Sequence, residues 1–268
     1  MHINADTVAV ITGGASGIGF GLAEALVERG ARVVISDIRE DALDPALELL
    51  NKSGAYVVGR PVDVADRRSV EALAAETMNL FGRVDLVCNN AGLISPAAPL
   101  WEQDEHTWQR MIGVKLMGVI NGTTAFAPHL IAQGRGHILN TASSGGLSPL
   151  PTRAPYTATM HAVVGLTETL DIELKQVNPL LGATVLCPGL VDTPLGQNSA
   201  NLGAITLPPS AARSIRDLGT ALTPREVAEA ALAAVEAGIV HVAPGEGVLE
   251  RSRARVELLL ADLTAGVR

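Results

Sequence analysis

Thr12-Gly13-Gly14-Ala15-Ser16-Gly17-Ile18-Gly19 is the stretch whose reading decides the fold. It separates an apolar run at 8–12, which reads as a strand, from an apolar-periodic run at 17–29, which reads as a helix stopped by Gly30. Gly13, Gly17 and Gly19 follow the spacing G-x-x-x-G-x-G. Glycine permits the tight turn and lets a pyrophosphate come close to the backbone. The helix start then offers free N–H groups and the positive end of its dipole. The whole loop, with Ser16 and Ile18 beside its glycines, is therefore expected to line a nucleotide site.

Outward from this loop, strand-like runs alternate with helical patterns to the end of the chain. Strands are expected at 32–36, 55–58, 84–88, 136–141, 183–187 and 239–242. Helices are expected at 41–50, 70–81, 155–177, 223–237 and 248–263. A long helix at 104–131 is interrupted by Gly113 and Gly118. The alternation predicts an α/β chain: a single domain over 1–268, with a parallel sheet covered on both faces. Residues 190–222 carry Pro194, Pro208 and Pro209 without regular periodicity and read as a substrate loop.

Composition narrows the partners. The formal net charge is −8, from 20 basic and 28 acidic residues. No basic cluster of the kind that binds nucleic acid stands out. No signal peptide is recognisable, and no apolar run reaches the roughly 18 residues of a membrane span. Cys88 and Cys187 end strand-like runs and read as reduced, buried thiols, which fits a cytoplasmic setting. The histidines show no ligand spacing, so no metal site is expected.

About 20 residues beyond the glycines, Asp37 ends the second strand, where a carboxylate accepts hydrogen bonds from the adenosine ribose and repels a 2′-phosphate. That favours NAD(H) over NADP(H), a preference that Arg39 softens. Asp63-Val64 follows the third strand, where a side chain can meet the adenine. Asn89-Asn90-Ala91-Gly92 follows the fourth, at the carboxyl edge where open α/β sheets bind ligands.

Taken together, these motifs, with Ser143, Tyr156 and Pro188-Gly189, resemble the short-chain dehydrogenase/reductase family over nearly the whole chain. The resemblance implies a Rossmann-type, doubly wound parallel sheet of seven strands over 1–268, with Tyr156 as the general acid/base and Ser143, 13 residues earlier, hydrogen-bonding the substrate oxygen. It implies that Pro188, Gly189, Val191 and Thr193 hold the nicotinamide end. It also implies a homodimer or homotetramer built through the helices at 104–131 and 155–177.

Two positions depart from the family pattern. Met160 stands where the family has a lysine that lowers the tyrosine pKa, and Lys115 stands where it usually has an asparagine. Either Lys115 reaches across and replaces the missing charge, with Met160 filling space beside the ribose, or both positions have drifted. In the second case Lys115 faces solvent or a subunit interface and Met160 is core. The leading functional expectation is an oxidoreductase acting on a secondary alcohol or ketone of a largely apolar small molecule, with cyclic ones among the candidates. A non-redox dehydratase, cyclase or isomerase, or a nucleotide-binding protein, is the alternative on the same scaffold.

Overall fold

In the computed structural model, residues 1–52, 54, 56–206 and 220–266 are described. The described strands are β1 (Val8–Thr12), β2 (Arg32–Asp37), β3 (Val57–Pro61), β4 (Leu86–Asn89), β5 (Gly136–Thr141), β6 (Leu181–Leu186) and β7 (His241–Val242). All pair in parallel, in the order β3-β2-β1-β4-β5-β6-β7. The helices are α1 (Gly17–Glu28), α2 (Glu40–Asn51), α3 (Arg67–Phe81), α4 (Glu105–Met111), α5 (Gly118–Gln133), α6 (Ala154–Val177), α7 (Leu195–Asn201), α8 (Pro224–Ala237) and α9 (Val248–Ala265).

β1, β4, β5 and β6 are buried along their full length. Covering both faces of a parallel sheet demands such continuous apolar strands. On one face Leu22, Leu26, Val227 and Leu232 pack against Ile11 and Ile35. On the other, Val70, Leu73, Phe126, Leu130 and Leu174 pack against Val10, Val87 and Ile138. The chain reverses its winding between β1 and β4, so the carboxyl ends of these two neighbours open a crevice where ligands of doubly wound sheets bind.

The seven-stranded parallel architecture agrees with the sequence reading; several boundaries move. β3 runs from Val57 to Pro61, not 55–58, because its register is set by Val33↔Val57 through Asp37↔Pro61 on β2. It pairs on one side only, and an edge strand tolerates a terminal proline. Ala55 lies outside the described residues. β6 starts at Leu181, ahead of the expected 183. Gly182 is a strand residue there through its pairing with His137 on β5, and the space beside it is narrow: a Cβ would lie 3.0 Å from His137 Cε1.

The expected interrupted helix resolves into α4, a π-helical segment at Ile112–Met117, and α5. In the described part of the 190–222 segment, Leu195–Asn201 forms α7 and Val191 bridges Leu222. Residues 207–219 of that expected loop lie outside the described residues. No helix of the described residues is long and apolar enough to cross a membrane, and no cluster of His, Cys, Asp or Glu among them could hold a metal.

Candidate active site

The turn after β1 holds Gly13 at φ +64° and Gly17 at φ +53°, the left-handed region that favours glycine. A Cβ on Gly13 would lie 2.8 Å from Ala91 Cα, so the turn after β1 sits against the turn after β4. Thr12 fastens the two: its hydroxyl accepts from Asn90 N at 3.0 Å and from Ala91 N at 3.1 Å. Asn90 Nδ2 donates back to Thr12 O at 3.1 Å. Ser16 is the extended N-cap of α1, yet its side chain makes no capping bond. The first-turn N–H groups of α1 are thus free for an anion.

Around this turn lies a cavity of about 1010 Å³ at the carboxyl edge of the sheet. That is the upper end of the usual range for ligand cavities, roughly 300–1000 Å³. Gly13, Ser16, Gly17, Ile18, Asp37, Asp63 and Val64 line its nucleotide end. Asn90, Ala91, Gly92, Pro188, Gly189, Val191 and Thr193 line it as well. Thr193 packs on Gly17, where a Cβ would meet Thr193 Cβ at 3.2 Å. Gly19 alone among the expected contacts lies outside the lining: a Cβ there would collide with Gly13 O and Asn90 Nδ2, so it serves the packing of α1 under the turn. The glycine cradle, the uncapped helix start and the carboxylate at the end of β2 fit a dinucleotide.

Ser143 follows β5, and its Oγ accepts from Gly145 N at 3.2 Å. Tyr156 lies in the first turn of α6, and both line the cavity. Burial pushes the Tyr156 phenol above its ordinary pKa; the Ser143 hydroxyl beside it and the Arg153 charge act in the opposite direction. Ser144 also lines the cavity, and its backbone O accepts from Ser148 Oγ at 3.4 Å. His161 does not line it; its Nδ1 pairs with Thr157 O at 3.0 Å within α6.

The two departures separate. Lys115 lies in the π-helical segment, is 5% exposed and lines the cavity. Its amine fills the space of a side chain at Gly92, where a Cβ would lie 2.5 Å from Nζ. Among the described residues Nζ has no hydrogen-bond or ion-pair partner, and burial lowers its pKa to about 8. Lys115 therefore does not face solvent. Met160 is fully buried among Val119, Ala142, Val163, Val185 and Cys187, outside the cavity lining, so it does not fill space beside a ribose.

Sequence reasoning missed contributions from distant elements. His106, Gln109 and Arg110 of α4 reach the cavity, as do Arg153 before α6 and Arg251 of α9. α7 closes over one side: Asn198 Nδ2 donates to Ser16 Oγ at 3.1 Å, and Ser199 Oγ accepts from Ile94 N at 3.1 Å.

Comparison with known proteins agrees with this geometry. A family model described as short chain dehydrogenase matches residues 7–202. The chain is 38% identical over 197 residues to 1-deoxy-11-beta-hydroxypentalenate dehydrogenase of Streptomyces avermitilis, which covers 73% of this chain and 72% of that protein. It is 35% identical over 193 residues to 3beta-hydroxysteroid dehydrogenase 2 of Eggerthella lenta, covering 72% and 74% respectively. Among solved structures, a short chain dehydrogenase/reductase from Burkholderia phymatum in complex with NAD superimposes with a TM-score of 0.88. It shares 32% identity and covers 98% of this chain and 97% of that one. This chain belongs to the short-chain dehydrogenase/reductase family.

Proposed function

We propose that the chain interconverts a secondary alcohol and a ketone with NAD(H) in preference to NADP(H). The observation that carries this reading is the sharing of one cavity by Ser143, Tyr156 and the unpartnered amine of Lys115, next to a glycine cradle and Asp37. The dinucleotide supplies the hydride acceptor or donor. Asp37 at the end of β2 accepts from the ribose hydroxyls and disfavours a 2′-phosphate.

Ser143 orients the substrate oxygen, and Tyr156 gives or takes its proton. Buried as it is, the phenol is protonated near pH 7, which suits it to protonating a ketone oxygen during reduction. In the oxidative direction it must act as a base, and a cation in the same enclosed space favours its phenolate. In this reading Lys115, in the same cavity, stands in for the absent lysine at position 160, beside the Arg153 charge that already favours the phenolate. With a pKa of about 8 Lys115 is largely protonated at pH 7 and loses its charge as the pH rises through that value.

The substrate is a bulky, largely apolar molecule. Leu93, Ile94, Leu150, Leu195 and Leu202 on the cavity wall support this, as do relatives named for a hydroxypentalenate and a hydroxysteroid. Assembly as a dimer or tetramer through α5 and α6 is part of the proposal, supported by exposed Ile131, Ile172 and Val177.

The test is NADH turnover with a panel of cyclic ketones and alcohols. Tyr156→Phe is expected to lower kcat by at least about a hundredfold while NADH still binds. Lys115→Asn is expected to lower kcat and move the pH–rate profile of oxidation to more alkaline pH. Full activity in Tyr156→Phe overturns the acid/base assignment, and an unchanged profile in Lys115→Asn removes Lys115 from the chemistry.

A further inference from the structure

The cavity is locally basic in an acidic protein. Among the described residues Arg39, Arg110, Lys115, Arg153 and Arg251 line it, against Asp37 and Asp63. Elsewhere among the described residues Arg29, Arg67 and Arg225 hold carboxylates at 2.5–2.7 Å and Arg60 and Arg83 hold Glu76 and Asp85, whereas Arg32, Arg68, Arg253 and Arg255 hold none. None of the four cavity arginines has a carboxylate partner among the described residues. Arg39 lies beside Asp37 at the nucleotide end, so a dinucleotide does not account for the rest.

Arg153 stands out among them. It is the residue before α6, three positions ahead of Tyr156, and it is partly buried. Of its five guanidinium donors one is engaged, by Ser95 O. The turn that presents it is held under strain. Thr152 has φ +63°, the one positive φ on a non-glycine among the described residues, and a β-branched side chain makes this a true outlier. Ala98 N at 3.0 Å and Gln103 Nε2 at 3.4 Å clamp the Thr152 carbonyl, so the 95–103 segment fixes the turn from outside. Strained backbone held by its surroundings is concentrated at ligand clamps.

We propose that Arg153 is a specificity residue that binds a carboxylate on the substrate close to the reacting oxygen, so that the preferred substrate is a hydroxy or oxo acid with an apolar body. The proposal rests on the reading of Tyr156 as the reacting end of the cavity. A guanidinium with free donors in a partly dry site takes a carboxylate in bidentate fashion, whereas a neutral ketone leaves those donors unsatisfied.

The test is calorimetric and needs no turnover. Cyclohexanecarboxylate and its amide are titrated into the full chain saturated with NADH. The acid is expected to bind at least about tenfold more tightly than the amide. Arg153→Gln is expected to erase that preference, and Arg153→Lys to keep part of it. NADH affinity in both variants reports that the fold is intact. Equal affinities for acid and amide in the unsubstituted protein overturn the proposal, as does a preference that survives Arg153→Gln. If no ketone or alcohol is turned over while the acid preference behaves as expected, the redox reading fails and the carboxylate subsite stands.

Discussion

Replacing Lys115 by Met should make the protein more stable, by an amount that depends on pH. In the folded chain Lys115 is 5% exposed, its amine faces the cavity with no hydrogen-bond or ion-pair partner among the described residues, and its pKa falls from 10.5 to about 8. A depression of 2.5 units between unfolded and folded states is about 3 kcal/mol at 1.36 kcal/mol per unit. The unfolded chain binds the proton more tightly, so folding carries the full penalty below about pH 8. The penalty shrinks as pH rises from 8 to 10.5, and it vanishes once the amine is neutral in both states. Methionine has similar length and no charge to desolvate, so Lys115→Met removes the penalty. For a chain of this size, about 3 kcal/mol corresponds to roughly 6–12 °C in Tm. The measurement is thermal unfolding of both proteins without cofactor from pH 6 to 10.5. The expected excess Tm of the variant is largest at pH 7 and below and decays above pH 8. An excess that is absent, or that stays constant across this range, would refute the placement of a charged amine in the cavity. The predicted gain in stability with loss of alcohol oxidation is the trade-off expected when an active site holds an unfavourable charge for function.

Asp37→Ser should relax the discrimination between cofactors, raising the NADPH to NADH ratio of kcat/KM at least about tenfold through loss of a nearby like charge. An unchanged ratio would assign the preference to other residues. Burial pushes the Cys88 thiol up and the Cys187 thiol up to about 12. Because the thiolate is the nucleophile, iodoacetamide at pH 8 should leave both cysteines of the folded protein essentially unlabelled and modify both after denaturation. Rapid labelling of the native state would contradict their burial.

The nucleotide end was legible in the sequence because its chemistry is local. A strand, a glycine turn and a helix start adjoin one another, and Gly13, Gly17 and Asp37 line the cavity as their positions imply. The sheet was legible for a related reason: buried parallel strands are continuous apolar runs. Strand ends were less so, since β3 and β6 take their limits from partner strands rather than from their own residues. Arg110, Arg153 and Arg251 were invisible as site residues because each is brought in by a different helix. Met160 and Lys115 could not be assigned from spacing alone. A helix position says which neighbours are near in sequence, but not that a Met160 side chain joins the cluster of Val119 and Val185 while Lys115 passes Gly92.

The widened turn at Ile112–Met117 has a consequence for how this segment tolerates change. A π-turn holds one residue more per hydrogen-bonded ring than an α-turn. Deleting a single residue there would let the turn close to ordinary α geometry while the helix beyond keeps its facing relative to α4, because the wider turn is what absorbs the extra residue. Asn121 would then keep its 2.9 Å bond to Val64 O, and Phe126 and Leu130, both fully buried, would stay on the sheet. Shortening this hexapeptide by one residue should therefore be tolerated better than the same deletion inside α5, which would turn everything beyond it by about 100° and carry its buried face off the sheet.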